Sequence, residues 1–307
     1  MTRRDHDPKN FTQDGPLHAI RLGDRRARRL VFLHGITGSR RYWQRRVAPL
    51  ARRYRLLIPD LLGFGLSPKP PVEYTIPRYC ASVRKFLEDA GATDRPHVLV
   101  GHSLGALIAI QYAIDHYDDV EALILLSLPR FESAEEAHRV FWHGSPQYRR
   151  LLNEHSVAEN LAQMRRSGID LFLKYIIKFP WGVLADCRKF TMRSLTSTLE
   201  QCLLNYRVDD TLSRLRPLPI LLMHGLRDGV APFDNIKDLP RRYPFMRLEV
   251  IPSSGHHVFL THSRHSLRVI ESFLESVPSR DNGRRGDDPR RGRARVGRLM
   301  RTASRAT

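Results

Sequence analysis

The run Val98–Ala113, VLVGHSLGALIAIQYA, sets Ser103 inside a Gly-x-Ser-x-Gly pentapeptide bounded by Gly101 and Gly105. The residues before it form a short apolar run and those after it a longer apolar, helix-length run. A serine at such a strand-to-helix junction sits on a sharp turn, where small neighbours let backbones approach closely. The turn lifts the hydroxyl off the sheet's carboxyl edge. It also brings the Leu104 N–H and a helix N-terminus towards any oxyanion that develops there. The chemistry this suggests is nucleophilic attack on a carbonyl.

A serine hydroxyl is a weak nucleophile and needs a base, itself oriented by an acid. Asp228 follows the apolar run Leu221–Met223 in His224-Gly225-Leu226-Arg227-Asp228, and His256 follows Leu248–Ile251 in Pro252-Ser253-Ser254-Gly255-His256. Both fall just past predicted strands, on the edge that carries Ser103. The order Ser103, Asp228, His256 is the one used by Gly-x-Ser-x-Gly enzymes of this topology. Asp60 ends an earlier strand but precedes the serine and leads into LLGFGLS, so it is assigned to loop structure. Glu132 is a substitute acid, and His257 a neighbour that could exchange roles with His256. A second oxyanion donor is expected in the loop after an early strand, where His34-Gly35-Ile36 offers the Ile36 N–H to pair with that of Leu104.

The elements that must position these residues alternate along the chain. Strands are predicted at Leu17–Leu22, Leu30–Leu33, Leu56–Pro59, His97–Val100, Ala122–Ser127, Pro219–Met223 and Leu248–Ile251. Several are continuous apolar runs, the pattern of parallel strands covered on both faces. Helices are predicted at Tyr42–Arg53, Ile76–Ala90, Leu104–His116, Asp234–Arg242 and Ser263–Ser276. The alternation reads as an α/β fold. The organisation is a flexible N-terminus over 1–16, an α/β core over 17–129 and 212–277, and a helical insertion over 130–211. The segment 278–307 holds ten arginines and three aspartates, has too little apolar surface to pack, and is expected to be disordered. Trp142, Phe179 and Trp181 in the insertion are candidates to line a substrate pocket or to pack the insertion onto the core.

HGITGS at 34–39, DLLGFGLS at 60–67, GHSLG at 101–105, HGLRD at 224–228 and SGH at 254–256 together resemble the α/β-hydrolase superfamily, in its cap-bearing, esterase- and haloperoxidase-like branch. The similarity spans roughly residues 17–277. It implies an α/β-hydrolase fold: a mostly parallel central sheet flanked by helices, with 130–211 as a helical cap over the pocket. It also implies a catalytic serine with histidine base and aspartate partner, and no cofactor. The chain departs from many relatives in having no acidic residue shortly after the histidine, where it reads HHVFLTHSRHS, and in a short segment before Leu30. The reaction expected is hydrolysis of a carboxylic ester, thioester or lactone with an apolar part. Hydrolysis of a carbon–carbon bond in a β-diketone or ring-cleavage product, acyl transfer, and a triad-bearing ligand receptor are the alternatives.

Composition narrows the other classes. The net charge of +19 comes from 51 basic and 32 acidic residues, with seven lysines among the basic ones. An arginine skew of that size suits a GC-rich coding bias, and no helix-turn-helix, zinc-finger or RNP pattern turns the charge into a specific nucleic-acid site. Salt-sensitive polyanion binding through the tail remains as a side activity. Gly63-Phe64-Gly65 lacks the third glycine of a dinucleotide fingerprint. His256, His257, His262 and His265 cluster without the companion residues of a metal motif, so no metal is expected. No apolar run is long enough to span a membrane. Cys80, Cys187 and Cys202 are widely spaced and form no disulfide framework, which points to the cytoplasm.

Overall fold

The computed structural model of the protein describes residues 15–144, 186 and 189–278. Seven strands form one sheet: β1 (Ala19–Leu22), β2 (Arg28–Leu33), β3 (Tyr54–Pro59), β4 (His97–His102), β5 (Val120–Leu126), β6 (Ile220–Gly225) and β7 (Met246–Ile251). Their spatial order is β1-β3-β2-β4-β5-β6-β7. Only β1 runs antiparallel, pairing Ala19 with Pro59 and Leu22 with Leu56. The other pairs are parallel, so their carboxyl ends share one edge.

The apolar strand runs are divided between two faces, as the two-residue period of a pleated strand requires. Leu30 and Phe32 of β2, Val98 and Val100 of β4, Ile124 of β5 and Leu221 of β6 pack on one side with Trp43 and Phe259. Val31, Leu33, Leu99, Leu123 and Leu222 point to the other side, towards Tyr79, Phe86 and Ile108. A strand buried on both faces needs no polar alternation, which is why these runs read as unbroken hydrophobics.

Helices α2 (Ile76–Asp89) and α3 (Leu104–Asp115) cover the second face. Thr75 caps α2, and its buried residues Ile76, Tyr79, Cys80, Val83, Phe86 and Leu87 recur at helical spacing along one stripe. Gly91, at φ +60°, ends the helix, with its N–H and that of Ala92 closing on the Glu88 and Leu87 carbonyls. Helix α3 is buried almost all round because it lies between the sheet, α2 and the insertion.

Two of the expected helices are broken up. Tyr42–Arg53 resolves into a 3₁₀ turn (Arg40–Tyr42), the short α1 (Gln44–Val47) and a second 3₁₀ stretch (Ala48–Arg52). Asp234–Arg242 becomes a 3₁₀ turn (Phe233–Asn235) followed by a four-residue helix (Leu239–Arg242). Pro49 and Pro240 lie inside these segments, where each removes an N–H from the helical ladder.

Within 130–211 the described residues form α4 (Ala134–Gly144), α5 (Met192–Thr198), a π-helical turn (Leu199–Leu204) and α6 (Val208–Leu212). None of them joins the sheet; Phe190 makes an isolated antiparallel bridge to Phe64. Phe179, Trp181 and the side chain of Trp142 lie outside the described residues, as do Cys187 and the segments 1–14 and 279–307. Among the described residues no helix is long and apolar enough to cross a membrane.

Candidate active site at the carboxyl edge of the sheet

Ser103 follows β4 directly and opens α3 with φ +52° and ψ −117°, a conformation that non-glycine residues rarely adopt. The turn is tight enough to demand glycine on both sides. A Cβ on Gly101 would stand 2.3 Å from the Gly105 carbonyl oxygen, and one on Gly105 would stand 2.3 Å from that of Leu33. The Ser103 N–H donates to the Leu126 carbonyl at the end of the neighbouring strand β5 (3.0 Å). Strain at a buried residue held from two sides is the usual sign of a functional turn.

The loop after β2 presses against this elbow. A Cβ on Gly35 would meet His102 Nδ1 at 2.9 Å and the Ser103 Cβ at 3.2 Å. His34 shapes the loop: its Nδ1 donates to the Gly35 carbonyl (2.8 Å), and its Nε2 accepts from the Leu61 N–H (2.8 Å). Burial pushes the His34 pKa down, so the ring stays neutral with this one tautomer. Ile36 is half-buried next to it. Among the described residues, no backbone carbonyl takes the N–H of Ile36 or of Leu104. Ser39 ends the loop and donates to the buried Asp186 carboxylate (2.8 Å), which also pairs with Lys189 (2.8 Å). The insertion is thereby tied to the loop.

Asp228 and His256 come together from the ends of β6 and β7. The His256 Nδ1 lies 2.9 Å from Asp228 Oδ2 and 3.1 Å from Oδ1. Asp228 Oδ1 also accepts from the Val230 and Ala231 N–H groups (2.9 and 2.8 Å). Its side chain is fully buried, which alone would raise its pKa. The adjoining His256 and His224 rings and the Ala231 N–H outweigh burial and hold the carboxyl well below the usual carboxylate range. Asp228 is therefore a fixed anion facing a ring nitrogen. That anion favours Nδ1–H and leaves Nε2 as the basic end.

The residues considered as substitutes lie elsewhere. Asp60 is buried and committed to Arg40, accepting from its Nη1 (2.7 Å) and its N–H (2.6 Å), and from the Leu66 N–H (2.8 Å). Glu132 is exposed and its N–H donates to Glu136 (2.6 Å). His257 is packed against Tyr42 and His102, and burial drives its pKa down to about 3. His262 and His265 have partners of their own in Ser253 and Glu249. Among the described residues no group of three potential ligands could hold a metal ion.

Three residues that sequence reasoning did not single out also converge here. The His256 carbonyl accepts from His102 Nε2 (2.9 Å) and from the Ser127 hydroxyl (2.7 Å). His224 Nε2 donates to the Ala231 carbonyl (2.7 Å) and stands 3.4 Å from Asp228. His102 lies within the elbow motif and Ser127 directly after a strand, so their position on the active edge was readable; their partners were not.

The chain belongs to the α/β-hydrolase fold family, whose model matches residues 28–263. It is 30% identical over 256 residues to the pimeloyl-[acyl-carrier protein] methyl ester esterase of Aeromonas hydrophila, covering 80% of this chain and 94% of that one. It is 25% identical over 280 residues to the 2-hydroxy-6-oxo-6-(2'-aminophenyl)hexa-2,4-dienoic acid hydrolase of Metapseudomonas resinovorans, covering 87% of this chain and 90% of that one. The fold is also that of a thermophilic esterase from Thermogutta terrifontis, with a TM-score of 0.65, 22% identity and coverage of 87% and 97%. Family and relatives together make the chain a hydrolase.

Proposed function

We propose that the protein is a serine hydrolase that cleaves a carboxylic ester, thioester or lactone through an acyl-enzyme on Ser103. The observation that carries this reading is the contact of a buried, anionic Asp228 with His256 Nδ1 at 2.9 Å, on the sheet edge that bears the strained Ser103 elbow. His256 takes the Ser103 proton as the hydroxyl attacks the carbonyl carbon, and Asp228 stabilises the imidazolium formed. The Ile36 and Leu104 N–H groups receive the oxyanion, a contribution of several kcal/mol when two donors are preorganised. His256 then protonates the leaving group, and a water molecule repeats the sequence to free the acid.

The Aeromonas relative, a methyl ester esterase, supports an ester as the substrate class. The Metapseudomonas relative supports a second reading, hydrolysis of a carbon–carbon bond beside a carbonyl. Residues 130–211 serve as the cap in either case, with Trp142, Phe179 and Trp181 as candidate pocket walls. The test is turnover on a panel of p-nitrophenyl esters of increasing acyl length, simple lactones and a vinylogous 2-hydroxy-6-oxo-dienoic acid. Ester or lactone turnover that vanishes in Ser103→Ala supports the reading. Turnover of the dienoic acid alone would transfer the chain to the second one.

A further inference from the structure

We propose that His102 and Ser127 are positioning residues that clamp the backbone carbonyl of His256 and so fix the base against the nucleophile. This rests on the reading of Ser103 and His256 as nucleophile and base.

The carbonyl has two lone-pair directions, and a donor from a different strand end fills each. His102 Nε2 comes from the end of β4 (2.9 Å) and the Ser127 hydroxyl from the end of β5 (2.7 Å). The chain separations are 154 and 129 residues, so neither contact follows from local turn geometry. His102 can donate only from a protonated Nε2, and its buried Nδ1 has no hydrogen-bond partner. Burial, with the His256 and His257 rings alongside, pushes its pKa well down and keeps the ring neutral, and stacking on Tyr42 fixes its plane, at 4.5 Å between centroids and 21° between planes. Ser127 shows the same commitment. It adopts φ +51°, costly for a serine, while its N–H donates to Met223 (2.9 Å) and its hydroxyl crosses to His256.

Asp228 alone would leave His256 a freedom. A hydrogen bond at Nδ1 orients the ring but lets the residue carrying it shift along the loop. Holding the carbonyl removes that shift. Because His102 is bonded directly to Ser103, one peptide unit links the nucleophile to the donor that fixes the base. Displacements of about 1 Å between reacting groups can cost on the order of a hundredfold in rate.

The test uses the full chain with Ser127→Ala, His102→Leu, His102→Gln and the double variant Ser127→Ala/His102→Leu. Readouts are kcat and KM on p-nitrophenyl acetate, the rate of Ser103 labelling by a fluorophosphonate, and Tm. Each single loss of a donor should lower kcat and the labelling rate roughly tenfold, and the double loss about a hundredfold, with KM within about twofold. His102→Gln, whose amide N–H reaches about as far as imidazole Nε2, should recover most of the loss. A folded double variant with kcat within twofold of the parent overturns the proposal. So does His102→Gln as impaired as His102→Leu, which would reduce the ring to packing. If His102→Leu does not fold, Ser127→Ala, which deletes one oxygen, carries the test alone. A parent chain that is never labelled at Ser103 refutes the hydrolase reading itself, whereas normal labelling in every variant refutes only the clamp.

Discussion

Asp228→Asn changes one atom and should separate orientation from structure. In the parent, Oδ1 holds the Val230 and Ala231 N–H groups at 2.9 and 2.8 Å, while Oδ2 faces His256 Nδ1 at 2.9 Å. An asparagine has one carbonyl oxygen to distribute. Turning its NH₂ onto two N–H donors would leave three donors facing one another, so the oxygen stays with the backbone. The NH₂ then faces His256 Nδ1, which must accept, and the ring proton moves to Nε2. In that tautomer the ring cannot take the Ser103 proton. Triads that lose the correct tautomer in this way fall by roughly 10⁴ in kcat, or about 5 kcal/mol of barrier. Folding loses one charge-assisted hydrogen bond, roughly 1.5–3 kcal/mol, a Tm decrease of about 3–12 °C for a chain of this size. The assay is kcat on p-nitrophenyl acetate beside calorimetric Tm. A folded Asp228→Asn chain with kcat within tenfold of the parent would remove Asp228 from the triad. So would a larger loss in Glu132→Gln.

Two further predictions concern the frame of the site. The Asp60 carboxyl, raised by burial but held down to about 2 by His18 and the Arg40 and Leu66 N–H groups, should be structural. Asp60→Asn leaves Arg40 without its anion and should cost roughly 3–5 kcal/mol in urea unfolding at pH 7, and less as pH falls from about 4 towards 2, where the parent carboxylate loses its own contribution; a cost under 1 kcal/mol would contradict this. Burial pushes the His97 pKa down to about 4, so the unfolded chain takes this proton first as pH falls. Stability should be complete above about pH 6.5 and lose about 3 kcal/mol from His97 on descent through pH 4; a His97→Gln chain with an unchanged slope over that window would contradict it.

The core strands were legible because their burial on both faces writes an unbroken apolar code, from Leu30–Leu33 to Leu221–Met223. The edge on which Ser103, Asp228 and His256 fall was readable as well, since each follows a predicted strand within a few residues, although the last, Leu248–Ile251, carries Glu249 and lies at the edge of the sheet. Segments governed by proline were less legible. The helical period of Tyr42–Arg53 is real, but Pro49 interrupts its hydrogen-bond ladder. Long-range polar contacts were not legible at all. Nothing in the neighbourhood of Ser127 says that its hydroxyl crosses to the His256 carbonyl, and nothing around Asp60 says that it takes Arg40. Those pairings depend on strand order and register, which local patterns do not encode.

Everything proposed for this site depends on Ser103 being the nucleophile. Intact-mass measurement after treatment with a fluorophosphonate tests it most directly. One adduct per chain is expected, mapped by peptide fragmentation to Ser103 and absent from Ser103→Ala. An adduct that persists in the folded Ser103→Ala chain would contradict it, as would a folded parent that acquires none.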